Sequence, residues 1–134
     1  MNVLDENIIE SQRQMLRNWR IPVRQIGHEL GRKGMADEEI IPFLLTLKRP
    51  SFFTRDLGFY QPQHCHLKYC IVTLPVRKEE AAHFIRRFLA QPGFHTQLER
   101  VGAVVRVTHA GLALWRLHGE SEQRLDWIPA RHHH

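Results

Sequence analysis

Cysteine is scarce in this chain, with Cys65 and Cys70 its only two thiols. So few exclude the disulfide framework of a small secreted domain, and a reducing compartment would leave both unpaired. Long apolar runs are missing as well. No segment approaches the roughly 18 consecutive apolar residues that a membrane span needs, so no membrane contact is expected. Asp5 and Glu6 interrupt the N-terminus before a charged-then-apolar signal can form, and a cytoplasmic location is the expectation. Internal repeats, low-complexity tracts and Gly/Ser linkers are absent too. With 134 residues, 43% hydrophobic and 25% charged, the chain has material for one core and not for two. A single domain is expected over residues 1–131, and His132, His133 and His134 read as the remnant of a purification tag.

Acidic residues are in the minority, 14 against 19 Lys and Arg, for a net charge of +5 with histidine neutral. A balance of that sign favours polyanionic partners, RNA above all.

What is present reads as alternating strands and helices. Val3 and Leu4 make a short strand that stops at Asp5-Glu6-Asn7. Ile8, Ile9, Met15, Leu16 and Trp19 follow at helical spacing. Residues 22–26 predict a second strand, and the polar, glycine-bounded residues 27–34 a loop. Asp37-Glu38-Glu39 opens an apolar segment over residues 40–47. Carboxylates suit such a helix start, where free N–H groups and the positive dipole end meet them, while Pro42 sits late enough to distort the helix. Residues 51–54 predict a third strand leading into Asp56. The continuous apolar run 69–76 predicts a strand buried on both faces, and residues 78–90 an amphipathic helix. Residues 103–108 and 112–117 flank a glycine-containing connection and predict a hairpin. The order implies a three-layer α/β/α fold with a mainly parallel sheet and a C-terminal antiparallel edge hairpin.

In an open parallel sheet, ligands bind beyond the carboxyl ends of the strands. Asp5 follows the first strand, Asp56 the third, and Asp37 starts the helix between, so topology alone should gather all three at one rim. At about 5 Å and an effective dielectric near 20, each pair would repel by roughly 3 kcal/mol. A divalent cation relieves such repulsion, and an oxygen-rich set suits Mg²⁺ or Mn²⁺.

Three motifs carry a resemblance. The strand-end Asp5-Glu6-Asn7, the Gly-x-x-Asp-Glu-Glu-Ile of Gly34 and Ile40, and the Phe-Thr-Arg-Asp-x-x-Phe of Phe53 and Phe59 resemble the PIN-like domain family. The likeness is to its short bacterial branch, related to VapC-type toxin ribonucleases, and covers residues 1–76. It implies a PIN-like endoribonuclease cleaving single-stranded RNA with Mg²⁺ or Mn²⁺. The catalytic and metal-binding acids would be Asp5, Asp37 and Asp56, supported by Asn7, Glu6 and Glu38. It also implies an antitoxin protein as a partner, should the chain be a toxin. One departure stands out. Gly58 occupies the place, two residues after Asp56, where PIN nucleases usually carry a second acid, and Glu6 or Glu38 would have to compensate.

Other readings compete with these. Asp37 is a good helix-start residue without any metal, and Asp5 and Asp56 are ordinary loop acids if taken singly. Arg86 and Arg87 either form a solvated helix face or line an RNA path. His64, Cys65, His66 and Cys70 lack the spacing of structural zinc pairs, and Cys70 reads as a buried strand residue. Arg55 should point away from Asp56 by strand alternation. Leu112, Leu114 and Trp115 on the edge hairpin offer a surface for a homodimer. A non-catalytic PIN-like module that binds RNA or protein is the main alternative function, and a phosphohydrolase using the same acids is a third.

Overall fold

The computed structural model describes residues 1–129; the tag reading at His132, His133 and His134 lies outside them. Seven strands form one sheet in the order β2-β1-β3-β4-β5-β6-β7. They are β1 (Asn2–Leu4), β2 (Arg24–Gln25), β3 (Ser51–Thr54), β4 (Cys70–Thr73), β5 (Ala103–Val107), β6 (Gly111–Arg116) and β7 (Gln123–Asp126). The first five are parallel, and β5-β6-β7 are antiparallel. The mainly parallel α/β architecture with an antiparallel edge is thus the observed fold. The edge has one strand more than the hairpin expected, because β7 pairs along β6. That pairing changes the surface proposed for a homodimer. Leu112 and Leu114 are buried inside the sheet rather than on its edge, and the true edge, β7, is polar and exposed.

Strand alternation sorts the apolar side chains into two layers. Leu4, Phe53, Val72 and Val105 point to one face and meet α1 (Glu10–Asn18) and α3 (Ala81–Ala90) through Leu16, Phe84, Ile85 and Phe88. Val3, Phe52, Ile71 and Val104 point to the other and meet α2 (Asp37–Leu44) through Ile40 and Leu44. Residues in the central parallel strands are buried on both faces, which is why the stretch holding β4 reads as a continuous apolar run. Each fully buried Phe or Leu contributes about 1.5–3 kcal/mol by leaving water.

Polar groups tie the layers together. Gln12, buried in α1, accepts from the Ala82 backbone N–H at 2.9 Å and so satisfies a free donor in the first turn of α3. The start of the amphipathic segment is a 3₁₀ turn (Lys78–Glu80) rather than α-helix. Helix α2 runs through Pro42 and stops two residues later, which fits the i→i−4 hydrogen bond that proline cannot donate. A four-residue helix, α4 (Gln97–Arg100), was not expected; Thr96 caps it by accepting from Glu99 N–H at 3.2 Å.

Candidate acidic site at the carboxyl rim of the sheet

Because β1 lies beside β3, Asp5 and Thr54 leave their strands side by side. Asp5 N–H still pairs with the Phe53 carbonyl at 2.9 Å, so the residue is held in the sheet's own register. Behind it, the buried Gln25 amide donates to the carbonyls of Asp5 (2.9 Å) and Ile8 (2.8 Å), fixing the turn out of β1.

Thr54 is the hub. Its hydroxyl donates to Asp5 Oδ2 at 2.7 Å and accepts from Asn7 Nδ2 at 3.2 Å and from Asp56 N–H at 3.0 Å. One donor and two acceptor positions are all that a hydroxyl has, so it is saturated. Asn7 Oδ1 then accepts from Arg55 N–H at 3.1 Å, clamping the turn from the other side. Thr54 is wholly buried, which makes each of these bonds costly to lose. The Phe-Thr-Arg-Asp motif contained this residue, but only the neighbouring strand shows what its hydroxyl does.

Asp37 enters from the first turn of α2, near enough to Asp56 to feel its carboxylate. Its pKa is raised by desolvation first, then by the Asp56 contact, and then by the charges of Asp56, Asp5 and Glu38. Asp5 is also raised, chiefly by burial and further by the charges of Asp56 and Glu6, against the opposing hydrogen bonds from Thr54 and Glu6 N–H. The three acids that topology was expected to gather are therefore within electrostatic reach of one another. All donors are oxygen, the chemistry a hard divalent cation prefers. Among the described residues, however, no group of three or more His, Cys, Asp or Glu side chains is arranged to hold a metal ion as it stands. Asp37 is exposed on the first turn of α2, whereas Asp5 and Asp56 are half-buried.

The supporting acids divide. Glu38 lies next to Asp37 on the wall of a cavity of about 360 Å³, which Ile41, Gly58, Phe59 and His64 complete. Glu6 turns away to accept from Gly34 N–H at 2.7 Å and pins the glycine-bounded loop. Gly58 has a positive role of its own, since its N–H donates to Asp56 Oδ1 at 2.8 Å. A Cβ built there would stand 3.0 Å from that same oxygen. His64 was missed as a site residue; it lines the cavity, with Nδ1 3.1 Å from the Phe59 carbonyl.

Other side chains are not gathered here. Arg55 turns to the Val76 carbonyl, at 3.1 Å from Nη2, as alternation requires. Arg86 stacks on Trp19 at 3.7 Å and Arg87 on Trp127 at 4.5 Å, both on the α1/α3 face, whereas Thr54 and α2 lie on the other. Cys70 is fully buried, and burial pushes its thiol up to about 12, so it is inert. His66 stacks on Tyr69 instead of joining the cysteines.

No family model, curated protein or solved structure matches this chain. Among the described residues no helix is long and apolar enough to cross a membrane.

Proposed function

We propose that the acidic rim binds Mg²⁺ or Mn²⁺ and hydrolyses phosphodiester bonds in single-stranded RNA, in the manner of the PIN-like nucleases. The observation that carries this reading is the Thr54 network, which ties Asp5 and Asp56 together at the strand ends, with Asp37 near enough for their charges to raise its pKa. Carboxylates with raised pKa values crowded on a solvent-facing rim point to a functional site more often than to a structural one. Asp5, Asp56 and Asp37 would hold the ion, which when bound lowers the pKa of a water and offsets charge on phosphate oxygens. The protein's own part is positioning. Thr54 and Asn7 orient two carboxylates, Gly58 N–H occupies one oxygen of Asp56, and the cavity bounded by Ile41, Phe59 and His64 can take a flat base beside the acids. The excess of basic over acidic residues favours a nucleic acid substrate.

The test is a metal titration followed by thermal unfolding and by cleavage of a labelled oligoribonucleotide. Asp5→Asn and Asp56→Asn should each abolish the Mn²⁺-induced rise in Tm and reduce cleavage by at least about a hundredfold. Metal-independent cleavage unchanged by either substitution would sink the mechanism.

A second reading is favoured by Gly58: a PIN-like module that binds RNA or protein without turnover. With glycine at that place the rim lacks a further acid. Saturable RNA binding with no cleavage across Mg²⁺ and Mn²⁺ would select it.

A further inference from the structure

At the pole opposite the acids, the amino ends of the parallel strands carry an uncovered apolar surface. Leu45, Leu67 and Leu98 are 39%, 65% and 66% exposed, and all three line one cavity of about 490 Å³ together with Leu47 and Val101. A second cavity shares Leu67 and Val101 and continues to Leu117. The two form a groove that runs from the start of β3, past the starts of β4 and β5, to the end of β6. Three inter-strand spacings make it about 14 Å long. Isolated exposed leucines are ordinary, but several converging on one concavity are the mark of an interaction site.

The rim is cationic. Lys48, Arg49 and Lys68 border the first cavity, all exposed and none in an ion pair among the described residues. Arg116 borders the second, its guanidinium 5.3 Å over the Phe94 ring. Glu99, on α4 beside Leu98, is turned back to cap that helix, accepting from Thr96 N–H at 3.0 Å. A second copy of this chain would bring these like charges together, so the surface opposes self-association. Single-stranded RNA would satisfy the cations but leave the leucines without a partner.

We infer that this groove docks an acidic amphipathic helix of a partner protein, with Leu-type anchors in the two cavities and Asp or Glu side chains against Lys48, Arg49 and Lys68. A length of about 14 Å accommodates about ten helical residues, enough for anchors at i, i+4 and i+7. The inference stands apart from the reading of the acidic rim, at the other end of the sheet.

The experiment uses the full chain and three fluorescein-labelled helical peptides of about fourteen residues, followed by anisotropy. One carries leucines at i, i+4 and i+7 with glutamate flanks, one has lysine in place of every glutamate, and one has alanine in place of every leucine. The first should bind with a Kd on the order of 10–100 μM, at least about tenfold tighter than either of the others, and weaken as salt rises. Leu67→Asp and Leu98→Asp should each weaken it at least about tenfold, and Lys48→Glu with Lys68→Glu likewise. Ile128→Asp, a like change at an exposed position away from the groove, should leave it unchanged, and the thermal unfolding of every variant checks that it is folded. Equal binding of the glutamate and lysine peptides, or no binding by any, overturns the inference. So does concentration-dependent dimerisation in sedimentation that Leu67→Asp abolishes, or oligouridylate binding that is lost with the lysines but indifferent to Leu67.

Discussion

Replacing Thr54 with valine keeps the shape, the burial and the β-branched side chain and removes only the hydroxyl. Three bonds go with it: the one donated to Asp5 Oδ2 at 2.7 Å and those accepted from Asn7 and Asp56 N–H at 3.2 and 3.0 Å. A hydrogen bond to a charged group is worth about 1.5–3 kcal/mol. The two orphaned donors sit near a partly open rim, where water can satisfy them in part, so together they add about 1 kcal/mol. The expected loss is therefore about 3 kcal/mol, or roughly 10 °C in Tm for a domain of this size. Thr54→Ser keeps the hydroxyl and loses one methyl group, which should cost only about 1 kcal/mol. Urea unfolding at neutral pH measures both, and an unchanged m-value shows that the comparison is of stability alone. The Mn²⁺-induced rise in Tm should also shrink in Thr54→Val and survive in Thr54→Ser. If valine falls within about 0.5 kcal/mol of the parent protein, or serine is as damaging as valine, the hydroxyl is not the hub described here.

The remaining expectations concern charge. Gly58→Asp would set a carboxylate beside Asp56, where a Cβ is already 3.0 Å from Oδ1; it should lower Tm without metal and gain more from Mn²⁺ than the parent does, and an unchanged metal response would refute the argument. Asp5 and Asp37 have raised pKa values, so the folded state holds their protons more tightly than the unfolded state. Their contribution to stability is fully present below the ordinary carboxyl range and is lost as pH rises through the raised values. A divalent cation competes with those protons, so the Mn²⁺-induced rise in Tm should grow from about pH 4 to about pH 7, and a flat profile would count against a carboxylate site. Glu29 behaves oppositely. Its pKa is lowered to about 2 although desolvation alone would raise it, because Gln25 N–H and Arg13 hold the carboxylate, and Arg17 also pairs with it. That contribution is present above the unfolded value near 4.5 and is lost as pH falls toward about 2, and Glu29→Gln should cost about 1–2 kcal/mol once screening at a partly exposed site is allowed for.

Element identity was legible where local pattern and tertiary demand agree. The continuous apolar run over residues 69–76 required burial on both faces, and the period of residues 78–90 required one buried stripe. Strand β7 was not legible, because Gln-Arg-Leu-Asp carries no apolar alternation and every residue is exposed. It forms by backbone pairing with β6, for which the side chains give no sign. Its presence takes β6 off the sheet edge, and the leucines taken for a dimer surface pack into the core on the α1/α3 face. The short helix α4 did have a signal, since Thr96 and Glu99 stand at capping-box spacing, but four residues are too few for a periodic pattern.

For the acidic rim, the division is cleaner. The sequence by itself determined that Asp5 and Asp56 each end a strand and that Asp37 starts a helix, because those are local facts of hydrophobic run and cap. The tertiary structure decided that Asp5 and Thr54 touch although 49 residues separate them, since only the β1–β3 pairing brings them together. It also decided that Gly58 lends its N–H to Asp56, and that Glu6 is used to pin a loop. Hydrogen bonds depend on tenths of an ångström between distant segments, and strand order sets those distances. Residue spacing in the chain does not.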